Sequence, residues 1–382
     1  MHTTINKCDA MTKMIVTPWE VSGEIDYKKL IKQFGTEPIT DKLLKRIEKI
    51  TGDLHFMIRR KLFFSHRDLD WILNEYEKGN KFFLYTGRGP SGHTHLGHLV
   101  PWIFTKWLQE KFEAELYFQM TDDEKFLFNE NLELEEANRF SYENALDVIA
   151  LGFDEEKTYI FSDIDYAKTL YREAIKVAKK LTFSTTRAVF GFKNEDNVGK
   201  IFFTSMQSVP AFLPSIKKGK NIPCLIPHAI DQDPHFRISR DILPKLGFYK
   251  PAAIHCMFLP SLHGPGSKMS ASDPYSAIFT TDPPDLARKK IMKAFSGGAG
   301  TLKEHKEKGG NPDIDVACQY LLYMFEEDDD KIKEIFSGYR NGSITSGEVK
   351  NILADKVEKF LKEHQKKREE AKKKLDKFIL KD

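Results

Sequence analysis

From Lys81 onward, short apolar runs alternate with longer stretches whose apolar groups recur at helical spacing. This alternation limits the fold more than any other feature. Strands joined by crossover helices pair in parallel, and a parallel sheet needs helices on both faces. "KFFLYTGR", "AELYFQM", "KTYIFSD", "IPCLIPHAIDQ" and "AAIHCMFLPSL" read as strands. "LEEANRFSYENALDVIALGF" and "YAKTLYREAIKVAKKL" read as helices between them. Between Arg59 and Lys81, "HRDLDWILNEYEKGNK" reads as a helix ended by Gly79 and Asn80. Beyond about Asp285 only helical patterns follow, ending in a single run from Ser346 to Leu380. The fold class is therefore α/β: a Rossmann-like parallel-sheet domain over residues 80–285, an all-α domain over 286–382, and an N-terminal extension, 1–79, packed on the sheet domain.

With 382 residues, 41% of them hydrophobic, the chain has ample material for a large core. Cys8, Cys224, Cys256 and Cys318 lie far apart, which argues against a disulfide framework or a structural zinc site. The N-terminal segment lacks the pattern of a signal or transit peptide, and no run is long and apolar enough for a membrane span. A cytoplasmic protein is expected. The net charge of +3 neither demands nor excludes nucleic acid, because a local basic face binds phosphate without a large total.

One strand-to-helix corner concentrates unusual residues: "GPSGHTHLGHLV", residues 89–100, holds His93, His95 and His98 among three glycines. In α/β proteins such corners are where ligands sit. His95 and His98, three apart at a helix start, share a face. The free N–H groups and positive dipole of that helix end favour phosphate, and Gly89, Gly92 and Gly97 let a ligand approach the backbone. Zinc ligation by the three histidines is the alternative on ligand type, but no further Cys or His follows at ligand spacing. Far down the chain, "GSKMSASDP" puts Lys268 on a glycine-flanked loop, well suited to carry a cation onto phosphates from the opposite side.

"PSGHTHLGH" and "KMSAS" resemble the His-Ile-Gly-His and Lys-Met-Ser-Lys-Ser signatures of class I aminoacyl-tRNA synthetases. "YTGRGPSG", "TKWLQEKF", "QMTDDEK", "HAIDQDPHFR", "KMSASDP", "AFSGG" and "EEDDDK", in this order, resemble the eukaryotic and archaeal type of tryptophanyl-tRNA synthetase, from about Thr17 to the last helix. Leu96 replaces the name-giving isoleucine, and Ala271 replaces the second lysine, which loads more on Lys268.

The resemblance implies a tryptophan–tRNA ligase. Tryptophan is activated by ATP to an adenylate with release of pyrophosphate, then passed to the 3′ end of tRNA. His95, His98, Lys268 and Ser270 would be catalytic, meeting the phosphates. Thr86, Gly87, Arg88, Gly97, Lys125, Met269 and Ser272 would bind ATP, with Mg²⁺ arriving on the nucleotide and no protein-built metal site. Tyr85, Gln119, Glu124, Gln207 and Gln232 would bind tryptophan. Gln119 stands out on its own, as an amide in an apolar strand that needs partners. The helical domain would bind the anticodon, although Ala299 and Gly300 offer no side-chain recognition where close relatives have a polar pair. A homodimer is expected, with the helix of Trp102 and Trp107 serving either as interface or as core.

Several charged groups have plainer readings. Asp122 and Asp123 read equally as solvated turn residues, and the run Glu326 to Asp330 as a solvated helix end. Lys366, Lys367, Arg368, Lys372, Lys373 and Lys374 read as a solvated helix face, with tRNA phosphates as the alternative. Three rivals remain. A tyrosyl-tRNA synthetase would want an acidic acceptor where Gln119 stands. A small nucleotidylyltransferase lacks an all-helical C-terminal domain. A catalytically dead synthetase fold sits badly with intact His95, His98 and Lys268.

Overall fold

The computed structural model describes residues 14–18, 21–23, 25–267, 269 and 273–382. A hairpin of β1 (Ile15–Val16) and β2 (Val21–Ser22) precedes a seven-stranded sheet. Its strands are β3 (Glu37–Pro38), β4 (Phe63–Arg67), β5 (Phe83–Arg88), β6 (Leu116–Met120), β7 (Thr158–Ser162), β8 (Cys224–Ala229) and β9 (Ala252–Cys256), in the order β3-β4-β9-β8-β5-β6-β7. β9, β8, β5, β6 and β7 run parallel, and β4 pairs antiparallel with β9. The chain leaves β5 toward β6 and β7, then returns to lay β8 and β9 on the other side. The order thus reverses between β5 and β8, a switch point beyond whose strand ends ligands sit in open sheets of this kind.

The helices that build the site and its surroundings are α1 (Leu96–Phe112), α2 (Asp122–Phe128), α3 (Leu134–Ala150), α4 (Ala167–Ala178), α5 (Asp233–Ile242), α6 (Pro284–Lys293) and α7 (Ser346–Ala371). Side chains alternate across the strands. Leu84, Leu116, Phe118, Leu225 and Ile254 join one apolar cluster with Leu99, Trp102 and Phe104 of α1. Phe83, Tyr85, Tyr117, Phe161 and Ile226 join another with Leu170 of α4 and Ile238 of α5. Trp102 and Trp107 are 1% and 8% exposed, which decides for core and removes them as interface candidates.

Three sequence readings change. The segment before residue 80 does not only pack on the sheet: it supplies β3 and β4, and Phe63–Arg67 is a strand where a helix pattern begins. Arg67 fixes that strand through two bonds to buried Asp233, at 2.7 and 2.8 Å. The run Glu326 to Asp330 is not simply solvated. Glu326 is buried and pairs with Lys356 at 3.1 Å, while Asp329 binds Arg59 at 2.8 Å and Arg60 at 2.6 Å. Arg368 is buried as well, 2.5 Å from Asp147 and 3.2 Å from Glu143, both on α3.

The helical C-terminal region is present, and its core is continuous with that of the sheet. Val349, Leu353, Val357 and Leu361 of α7 belong to the same cluster as the strand residues under α1. His364 adds a bond to Asp147 at 2.9 Å, and Arg288 of α6 binds Glu358 of α7 at 2.7 Å. The last helical run breaks after Ala371 and resumes over Leu375–Phe378. Beyond it the chain returns to the sheet. The Leu380 N–H donates to Ile160 O of edge strand β7 at 2.8 Å, and the Asp382 carboxylate accepts from the Thr169 N–H and hydroxyl at 3.0 and 2.6 Å.

Candidate functional site

The switch point between β5 and β8 receives the histidine corner. β5 carries Tyr85, Thr86, Gly87 and Arg88 to its end, and α1 begins at Leu96 with His95 as its N-cap. His95 and His98 stack face to face, ring centroids 3.5 Å apart, and the His95 N–H donates to His98 Nδ1 at 3.2 Å. Thr94 and Leu96 are bonded to Thr280 and Ile278, so the first motif is laced to the chain just beyond the second. Met269 lies over Gly97: a Cβ there would stand 3.0 Å from its sulfur. The two motifs therefore meet. Lys268, Ser270 and Ser272 lie outside the described residues.

The other expected ATP residues divide by role. The Thr86 hydroxyl donates to Pro227 O at 2.9 Å and ties β5 to β8 across the switch point. Gly87 faces β6, where an added Cβ would lie 2.7 Å from Gln119 O. Arg88 donates from Nε to Asn144 Oδ1 on α3 at 3.1 Å, and its Nη2, out of solvent, has no hydrogen-bond partner. Burial pushes this guanidinium down to about 10, against the pull of Glu124 and Asp147, which still leaves it charged at neutral pH. Lys125 folds over Gly89, where a Cβ would collide with its Cε, and pairs with Glu124 at 3.1 Å. The result is a cationic, N–H-rich corner.

Beside it the expected amino-acid residues converge. On β6, Gln119 alternates with Met120 and so points to the same face as Tyr117 and, on β5, Tyr85. The Tyr85 hydroxyl donates to Gln119 Oε1 at 2.5 Å and accepts from Gln207 Nε2 at 2.5 Å. Gln207 Nε2 also reaches Gln119 Oε1 at 3.0 Å. Glu124, 7% exposed, accepts from the Thr121 hydroxyl at 2.7 Å. Burial raises its carboxyl, but Lys125 and Thr121 outweigh burial and hold it below the usual range, as a buried anion. Gln232 is not part of this network; it precedes α5 and its amide is 3.4 Å from Pro18 O of the N-terminal segment.

Sequence reasoning missed Asp163. It follows the last residue of β7, its N–H continues the ladder onto Met120 O at 3.0 Å, and both its oxygens accept from Gln119 Nε2, at 2.9 and 2.8 Å. Asp163 and Asp123 are both pushed upward, first by burial; Asp123 and Asp122 add repulsion on Asp163, while on Asp123 the hydrogen bond from Asp163 works against burial and Asp122. Asp122 is fully buried and accepts from Ser141, Ser162 and Asn138 at 3.2, 2.5 and 3.0 Å, so it is no solvated turn residue. A strong signal for this acidic nest was available only from the neighbouring strand ends, not from either segment read alone.

Among the described residues, one set of possible metal ligands converges: Glu37, His66 and Asp70. His66 Nδ1 accepts from the Leu69 N–H at 3.3 Å, which leaves the neutral ring's proton on Nε2 as a donor rather than a ligand. The set lies on the β3–β4 edge, away from the β5–β8 switch point.

The chain is similar to known proteins over nearly its whole length. The family model "tRNA synthetases class I (W and Y)" matches residues 77–362. The chain is 54% identical over 358 residues to the tryptophan–tRNA ligase of Saccharolobus solfataricus, covering 94% of this chain and 93% of the relative. It is 52% identical over 365 residues to that of Pyrococcus abyssi, covering 95% and 93%. Among solved structures it resembles tryptophanyl-tRNA synthetase from Plasmodium falciparum, with TM-score 0.83, 47% identity, and 90% and 92% of the two chains covered. It also resembles the tryptophan-bound enzyme from Encephalitozoon cuniculi, with TM-score 0.85, 40% identity, and 93% and 98% covered.

Proposed function

The chain belongs to the class I tRNA synthetases, on their tryptophan–tRNA ligase branch, and from that premise we propose how its residues divide the reaction. The enzyme joins tryptophan to tRNA at the expense of ATP. In the first step the tryptophan carboxylate attacks the α-phosphate and pyrophosphate leaves. In the second, a ribose hydroxyl of the tRNA terminus attacks the adenylate carbonyl and AMP leaves. Such chemistry asks the protein mainly for positioning and charge stabilisation.

The mutual network of Tyr85, Gln119 and Gln207 carries the reading. Three polar heads meet at the end of apolar strands, one turn of chain from a buried anion. In our reading the indole N–H takes Gln119 Oε1 or the Tyr85 oxygen as acceptor, and Glu124 faces the amino acid's ammonium. Gln207 completes this polar lining, and Gln232, outside the network at the start of α5, would meet the substrate separately. His95 and His98 donate to ATP phosphates at the start of α1, and Arg88, with its free Nη2, and Lys125 supply fixed positive charge. Thr86, Gly87, Gly97 and Met269 shape the floor on which the nucleotide lies. Lys268, Ser270 and Ser272 would hold the departing pyrophosphate.

Magnesium fits this corner only as a companion of ATP. Apart from Glu124, whose carboxylate is engaged by Lys125 and Thr121, the groups gathered there are imidazole, ammonium, guanidinium and backbone N–H donors, whereas Mg²⁺ needs oxygen ligands, which the phosphates carry. When bound it would neutralise phosphate charge.

We further propose residues 286–382 as the anticodon-binding part, residues 80–285 as the catalytic part, and a cytoplasmic homodimer. Among the described residues no helix is long and apolar enough to cross a membrane. Tyr171 and Ile175, one turn apart on α4, are 56% and 45% exposed, and Phe183 and Val198 lie exposed nearby in sequence, which supports that flank as the dimer face.

The test is amino-acid-dependent ATP–pyrophosphate exchange with the twenty amino acids one at a time. Exchange with tryptophan alone is expected. Exchange with tyrosine instead would overturn the pocket assignment while leaving the phosphate corner standing.

A further inference from the structure

The Gln119 amide has two ends, and only one suits an N–H donor. Its side chain is completely buried on β6, so its orientation is set by protein partners alone. At one end Nε2 is 2.9 and 2.8 Å from the two oxygens of Asp163. At the other, Oε1 takes bonds from Tyr85 and Gln207. The raised Asp163 carboxyl spends its own proton on Asp123, so toward Gln119 it offers only acceptor oxygens. Turning the amide over would set its carbonyl against those oxygens and its NH₂ against the Gln207 NH₂. Both contacts are repulsive, and the Asp163 oxygens would lose their donor.

Asp163 is itself held hard. Its N–H extends the β6–β7 ladder onto Met120 O, and Asp123 packs beside its carboxyl. Asp122, in the same nest, is locked by Ser162, Ser141 and Asn138. The acidic nest is therefore anchored on β7, α2 and α3 and does not depend on the pocket it supports.

We infer that Asp163 is a positioning residue for substrate choice: by fixing the Gln119 NH₂ end it keeps the carbonyl end turned into the pocket, and so makes the site an acceptor for a ring N–H. The inference rests on the assignment of Gln119 to the tryptophan indole made above. A site built to accept an N–H rejects a ring without one, because its own buried acceptor is left unpaired. Without Asp163 the amide is free to present either end, and that rejection fades.

The experiment compares kcat/KM in pyrophosphate exchange for tryptophan and for 3-(3-benzothienyl)alanine, which carries sulfur in place of the ring N–H. The full-length wild type is expected to favour tryptophan by about 100-fold or more. Asp163→Ala should bring this preference below about tenfold, with the loss falling on tryptophan. Asp163→Asn should keep the wild-type preference, because its carbonyl can still accept from Gln119 while its NH₂ faces Asp123. Should the alanine variant not fold, as judged by circular dichroism and melting, Asp163→Ser serves: its hydroxyl is too short to reach Gln119. An unchanged preference in the folded alanine or serine variant, with both substrates slowed alike, overturns the inference and leaves Asp163 a packing residue. A wild type that exchanges tryptophan and the analogue equally well overturns it too. A wild type that exchanges no tryptophan at all fails the tryptophan reading instead, which keeps the two failures apart.

Discussion

A methyl group at Gly97 meets the Met269 sulfur at 3.0 Å and the His95 ring at 3.2 Å. Both neighbours are side chains that yield, and the position is helical, where alanine is favoured over glycine by about 1 kcal/mol. Gly97→Ala should therefore fold as well as the wild type while displacing the second motif from the first. The expected outcome is an unchanged melting temperature with tryptophan-dependent exchange reduced by up to about 100-fold; a variant with full activity would show that this contact does not set the loop. Legibility at this scale follows the contrast of a residue with its surroundings. Gln119 was readable because an amide stands out in an apolar strand, and the structure gives it the partners it needs. Asp163 was not, since an aspartate just after a strand looks like the start of a turn. Its meaning lies in the register of β6 against β7, Met120 opposite Ser162, which no single segment contains.

Between elements, α3 is the shared support. On one turn Asn144 holds Arg88 and, at 3.0 Å, the Gly92 carbonyl of the histidine corner. On the next, Asp147 holds His364 and Arg368 of α7. Burial alone would raise the Asp147 carboxyl, but the His364 bond and Arg368 outweigh it and keep it below its ordinary value. Its folded value thus lies below its unfolded one. The stability it contributes is complete above the unfolded value, near 4, and is lost as pH falls through the folded value. Asp147→Asn should flatten the acid limb of a stability-against-pH curve, read by urea unfolding between about pH 5 and 2. Arg368→Ala leaves a buried carboxylate short of its partner and should cost about 3–5 kcal/mol near neutral pH. An effect under about 1 kcal/mol would mean that the pair is solvated in practice. The parallel strands and large helices were legible from their periodicities. Strand Phe63–Arg67 was not, because "FFSHR" is too short to show alternation and runs straight into the stronger helical pattern of Leu69–Glu77. Arg368 was unreadable for a similar reason: a basic run looks solvated until the face it turns inward is known.

For the molecule as a whole, the two edges of the sheet differ: β3 is an exposed strand of two residues, and β7 is closed late in the chain. β7 is the outer parallel strand; Leu380 bonds to it at Ile160, and Asp382 ties the chain end to Thr169 at the start of α4. An uncovered strand edge invites pairing with other chains. Removing residues 379–382 should lower the melting temperature by a few degrees, in proportion to the lost contacts, and raise light scattering on heating. Unchanged scattering would show that β7 is protected by other means. The α/β class and the helical C-terminal region could be read from the chain, but not this return, since four residues carry too little pattern to announce a strand partner.

That closing contact ties Leu380 back to Ile160, more than half the chain earlier. A ribosome adding roughly 5–20 residues per second needs on the order of ten to forty seconds to travel that far. Throughout that interval the nascent sheet stands with its outer rail bare in a crowded cell. Synthesis in cell extract should find this chain dependent on a holdase until residues 379–382 emerge. An excess of those last residues, supplied as a separate peptide, should shorten the dependence.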